Sequence, residues 1–110
     1  MSKLSHLAKT QIAQLPEVLA IVVTDDAGAL LESSGELDSE ALGAVQVVAM
    51  QAITRCGNAL GLGTLERITV TGGQRTCVLA IRDREVLGVY LTPQGPIGAF
   101  ESKLEAALRR

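Results

Sequence analysis

Residues 38–62, DSEALGAVQVVAMQAITRCGNALGL, read as one long helix and little else. They contain no proline, more than half of them are apolar, and the run is far longer than an ordinary strand. At about 100° per residue, Leu42, Val45, Ala49, Ala52, Ile53, Cys56 and Leu60 share one broad face, wide enough to cover a sheet. Gln46, Gln51, Thr54 and Asn58 fall opposite. Val47 and Met50 lie on that opposite side too, with Gly43 and Gly57 beside Met50. Apolar residues on the outer side of a helix are usually covered by something beyond its own domain. The stretch therefore predicts an interaction protein.

The ends of this helix are also written in the sequence. Asp38 is placed to cap it, because its carboxylate can accept the free amides of the first turn. Leu37 and Leu42 occupy the two positions of a hydrophobic staple. Glu40 suits the positive end of the dipole, and Gly61 and Gly63 suit termination. Gly57, inside the last turns, costs about 1 kcal/mol relative to alanine. Close approach of another backbone, or fraying, would account for it.

Around this helix the chain alternates between periods. Residues 3–14 carry a helical stripe of Leu4, Leu7, Ala8, Ile12 and Leu15, and Pro16 stops it. Residues 19–24 (LAIVVT) form a strand apolar on both faces, which predicts cover on both. Asp25-Asp26-Ala27-Gly28 makes a turn into a short second strand at 29–33, followed by a loop at 34–36. After the long helix come strands at 66–71, 74–82 and 86–92. In the first of these, Ile68 and Val70 point one way and Arg67, Thr69 and Thr71 the other, as in a strand with one wet side at a sheet edge. Gly72-Gly73 predicts a tight hairpin with two positive-φ residues, and residues 83–85 a second turn. Pro93-Gln94-Gly95-Pro96 is a loop, and a last helix over 98–108 buries Ile97, Phe100, Leu104, Ala107 and Leu108. The order α-β-β-α-β-β-β-α, with strands that have few wet positions, predicts a single domain over 1–110. Its architecture is α/β (α+β): a three-layer α/β/α sandwich around a five-stranded, mainly antiparallel sheet.

Composition removes several functions. The net charge is −2 with no basic stripe to follow a phosphate backbone, and the two aromatic residues, Tyr90 and Phe100, are too few for base stacking. No nucleic-acid partner is expected. No apolar run approaches the ~18 residues of a membrane span, and the first fifteen residues lack the pattern of a signal peptide. A reduced, cytoplasmic protein is expected, with Cys56 and Cys77 as buried thiols.

Chemistry finds no constellation. His6 is the sole histidine and reads as solvated, so no zinc site of usual spacing can be assembled. The glycine-rich run 57–63 leaves a helix instead of opening one and lacks the Lys-Ser/Thr of a phosphate loop. Asp25/Asp26 and Asp83/Glu85 sit in turns, and the arginines serve a soluble surface. No enzyme, cofactor or metal is expected.

Three segments carry a family resemblance. They are LPEVLAIVVTDDAGALLESSG, the helix rich in small residues, and VLGVYLT with IGAFESKLEAAL. Together they resemble the Roadblock/LC7 family, with Glu17 standing where members often have glycine. The resemblance implies a profilin-like fold. It also implies homo- or heterodimers that pack their central helices together and pair their third strands. Such dimers serve as platforms for Ras-like small GTPases, and bacterial members similar to MglB act on a polarity GTPase without supplying hydrolytic chemistry. The interface expected here comprises Val47, Met50, Gln51, Thr54 and Gly57 on the helix and Arg67, Ile68, Thr69 and Val70 on the third strand. The rival reading is a small-molecule sensor of the profilin or PAS type. The shortage of polar and aromatic residues in the strands counts against it.

Overall fold

Four antiparallel pairings join five strands into one sheet, in the order β2-β1-β5-β4-β3. A computed structural model describes residues 2–92 and 97–109. The strands are β1 (Val18–Asp25), β2 (Leu30–Gly35), β3 (Arg67–Thr71), β4 (Thr76–Arg82) and β5 (Glu85–Leu91). Three helices accompany them: α1 (Lys3–Leu7), which continues into a π turn over Ala8–Ile12, α2 (Ser39–Ala59) and α3 (Ile97–Leu108). The loop expected at 93–96 lies outside the described residues.

Alternation along the strands sorts their side chains between two layers. Ile21, Val23, Val78, Ala80, Leu87 and Val89 point to one face, where α1, the π turn and α3 bring Leu4, Ile12, Phe100 and Leu104. Ala20, Val22, Leu79, Val86 and Tyr90 point to the other, beneath α2. Both faces of β1 and β5 are thus covered, as the sandwich expected from the sequence requires. Burying a side chain such as Phe100 or Leu104 completely stabilises the fold by about 1.5–3 kcal/mol.

Local signals account for most boundaries. Asp25 Oδ1 accepts the amides of Ala27 and Ala29, each at 2.9 Å, and Gly28 takes φ +95°, which closes the β1–β2 turn. Asp38 Oδ1 accepts from the Ala41 amide at 3.2 Å. Leu37 and Leu42, at the two staple positions, both pack on the cluster of Ala20, Val22 and Tyr90. At the far end the Leu62 amide donates to Gly57 O and the Gly61 amide to Asn58 O, with Gly61 at φ +72°. This paired closure satisfies carbonyls that the helix leaves open.

Two turns differ from expectation. The β3–β4 connection spans residues 72–75, since Thr71 pairs with Thr76, and neither Gly72 nor Gly73 takes a positive φ. The two-residue hairpin with positive φ lies at β4–β5 instead, where Asp83 (φ +50°) and Arg84 (φ +64°) join the paired Arg82 and Glu85. The extra loop residues between β3 and β4 remove the need for a left-handed turn there.

Candidate interaction surface

The rotation of α2 about its own axis decides which residues are available to a partner. Its buried residues are Gly43, Gln46, Val47, Met50 and Gly57. Val47 (7% exposed) and Met50 (4%) pack against Leu79 and Val86 of the sheet. The expected outer position of Val47 and Met50 is therefore overturned: they are core. Gln46, expected to be outside, is 3% exposed.

Three features hold the helix in this rotation. Gly43 lies so close to β1 that a Cβ there would stand 2.9 Å from Thr24 Cγ2, so a larger residue would lift the first half of α2 off the strand. Gln46 reaches into the sheet, where its Nε2 donates to Val22 O at 3.2 Å and to Val86 O at 3.4 Å. Its Oε1 accepts from the Tyr90 hydroxyl at 2.9 Å. Gly88 on β5 supplies the room, since a Cβ there would lie 2.2 Å from Gln46 Oε1. A buried amide satisfied on both its donor and acceptor sides fixes orientation in a way that apolar packing does not.

Most of the residues expected to cover the sheet face outward instead, joined there by Ala41, Val48 and Ala59. Val45 and Val48 are each 65% exposed and Leu60 is 73% exposed, while Ala41, Ala52, Ile53, Cys56 and Ala59 are exposed as well. Of the expected sheet-facing set, only Leu42 and Ala49 pack partly into the core. The stripe Ala41, Val45, Val48, Ala52, Cys56, Ala59 advances by three and four residues, so it is straight along the helix and made of small side chains. Cys56, expected to be buried, belongs to it and is exposed.

The remaining expected residues divide as follows. Gln51 is exposed. Thr54 is half-buried, its hydroxyl donating to Met50 O at 2.7 Å. With Val47, Met50, Arg55, Ile81, Val86 and Asp26 they line an open groove of about 310 Å³ beside α2. Gly57 is buried, and a Cβ there would meet only Leu62 Cδ1 of its own chain, at 3.9 Å. The strand β3 is a sheet edge, as expected. Ile68 is half-buried against the cluster beneath α2, and Val70, on the same side, is 55% exposed. Arg67 and Thr69 point to the other layer, where the Thr69 hydroxyl donates to Glu101 of α3 at 2.9 Å.

Cys77 is half-buried beside Tyr90. Burial pushes its thiol up from 9.0 to about 11, and a hydrogen bond with Tyr90 only partly offsets this. Burial and the neighbouring Cys77 raise the Tyr90 phenol as well. A thiol held protonated is a poor nucleophile. His6 is exposed. Among the described residues no three His, Cys, Asp or Glu side chains converge to hold a metal ion, and no helix is long and apolar enough to cross a membrane.

No protein-family model matches the chain, and no curated protein sequence matches it. Solved structures do. The Roadblock/LC7 domain from Streptomyces avermitilis superposes with a TM-score of 0.82 at 14% identity, over 98% of this chain and 93% of that one. Myxococcus xanthus MglB gives 0.77 at 18% identity, over 94% and 83%. Profilin from Schizosaccharomyces pombe gives 0.68 at 11% identity, over 93% and 90%. At such identities the likeness is one of architecture, and the chain has the profilin-like fold of the Roadblock/LC7 domains.

Proposed function

We propose that this chain belongs to the Roadblock/LC7 family and is a cytoplasmic regulator or scaffold of a Ras-like small GTPase. It works as a dimer with itself or a paralogue and supplies no chemistry of its own. The observation that carries the reading is the outward apolar stripe of α2. Covering Val45 or Val48 would contribute about 1–2 kcal/mol each by area, from both subunits of a symmetric pair. The β3 edge adds unpaired backbone and the exposed Val70. The class of partner comes from the resemblance read in the sequence. Such a module would act by binding one nucleotide state more tightly than the other, because a ligand shifts an equilibrium only by its differential affinity. The open groove beside α2, with Val47, Met50, Ile81 and Val86 in its lining, offers further apolar surface for a partner.

The test compares the two faces of one helix. The double variant Val45→Lys/Val48→Lys should sediment as a folded monomer with a cooperative melt, whereas Met50→Lys should lose the fold. Immobilised wild-type protein should then retain a small GTPase from native lysate in a nucleotide-dependent way, and the double variant should not. A double variant that sediments as the wild type does would remove α2 from the interface. Retention of no nucleotide-dependent GTPase would remove the proposed partner.

A further inference from the structure

The second edge of the sheet, β2, is distant in sheet order from β3 and is not used by the interface proposed above. Its outer side has no neighbouring strand among the described residues. Leu30 and Leu31 at its start are 41% and 44% exposed, and Ser33, Ser34 and Gly35 keep the rest low-walled. Open edges are normally blunted by lysine, proline or a bulge. This strand has no lysine or proline, and the register shift opposite Val23/Thr24 is confined to its first residues, leaving Glu32 to Gly35 in regular pairing with β1.

Charge says what the edge would accept. Between Lys9 and Arg55 the sequence has seven carboxylates and no lysine, arginine or histidine. Glu17 and Asp26 are met from elsewhere, by Lys103 and Arg84. Asp25 is occupied in its turn and Asp38 in its cap. Glu32, which accepts the neighbouring Ser33 amide at 3.3 Å, has no cation within salt-bridge distance among the described residues, and neither do Glu36 and Glu40. They lie in β2, in the loop that leaves it and in the first turn of α2. One cation, Lys9, stands exposed on the adjoining π turn.

We propose that the β2 edge is a strand-addition site for an extended, basic segment of a partner protein. Main-chain bonds to residues 32–35 would hold the segment. Alternate apolar side chains would rest on Leu30 and Leu31, and lysines or arginines would meet Glu32 and Glu36. A second copy's β2 is disfavoured at this edge because it would set the same carboxylates against one another.

The probe is a capped ten-residue peptide of alternating lysine and valine, with a glutamate–valine peptide as control. The lysine peptide should slow amide exchange at residues 32–35 and leave β3 unchanged. Its affinity should fall steeply with salt, and by tenfold or more in Glu32→Lys/Glu36→Lys. The control should not bind. Protection appearing on β3 or α2 overturns the proposal, as does equal binding to the charge-reversed variant. So does protection of β2 that grows with protein concentration in the absence of peptide, which would assign the edge to self-assembly. The readout is local to β2, so its failure leaves the α2 interface untouched.

Discussion

Replacing Gln46 by leucine tests whether α2 is oriented by a polar contact or by area alone. The two side chains have similar volume, so little cavity forms. What is lost is a 3.2 Å bond to Val22 O, two longer contacts, and the acceptor for Tyr90 at 2.9 Å. Val22 and Val86 lie within sheet ladders, so their carbonyls keep other partners. The main cost is a Tyr90 hydroxyl left without its acceptor in a residue only 5% exposed. An orphaned buried donor costs about 1–3 kcal/mol, and Cys77 offers only a weak alternative, so Gln46→Leu should cost about 2 kcal/mol. Tyr90→Phe leaves Gln46 Oε1 without its donor and should cost a similar amount. The double variant removes both partners together and should cost well below the sum, with a coupling of about 1–2 kcal/mol. Urea unfolding of the four proteins at one protein concentration measures it. Additivity within about 0.5 kcal/mol would mean that the 2.9 Å contact does not orient the helix.

Three other outcomes are expected. Gly57→Ala should stabilise the fold by about 1 kcal/mol, seen as a rise of several degrees in Tm, because the added methyl meets only Leu62 at ordinary contact distance; a fall would place something closer against that turn. Alkylation of native protein near neutral pH should label Cys56 and spare Cys77, whose pKa of about 11 keeps the thiolate on the order of 0.03% at pH 7.5. The same shift sets an alkaline limit. The folded state holds the Cys77 proton more tightly than the unfolded chain does, so the associated stability is intact below pH 9 and is lost as pH rises through 11. Thermal melts across that window should fall less steeply in Cys77→Ala; an identical slope would assign the loss to other groups.

Much of the architecture was legible because local chemistry and packing agree. Asp38, Leu37 and Leu42 begin α2 where capping chemistry places it, and Asp25 with Gly28 closes the first hairpin. Strand β1, apolar on both faces, is covered on both. The rotation of α2 was not legible. Two of its faces are comparably apolar, so periodicity ranks them by a residue or two, whereas the choice is made by long-range contacts of Gly43 with Thr24 and Gln46 with Tyr90. A usable signal did exist: Gly43, Val47 and Met50 advance by helical spacing along one line, and the small Gly43 permits close approach to a sheet. The hairpin error has a similar source. Gly72-Gly73 suits a left-handed turn, but turn geometry follows the strand register, and the register places that turn at Asp83-Arg84.

A helix with two greasy sides has two ways of lying down on a sheet. For α2 the hydrocarbon hidden either way is comparable, so the hydrophobic effect alone would leave its roll angle nearly undecided. Gln46 works as a key in a lock: only one roll angle brings its amide to Val22, Val86 and Tyr90. Once that roll is fixed, the opposite side, with Val45 and Val48, is committed to the outside. One buried amide, together with the close seat of Gly43 on β1, thereby decides which surface the protein turns outward.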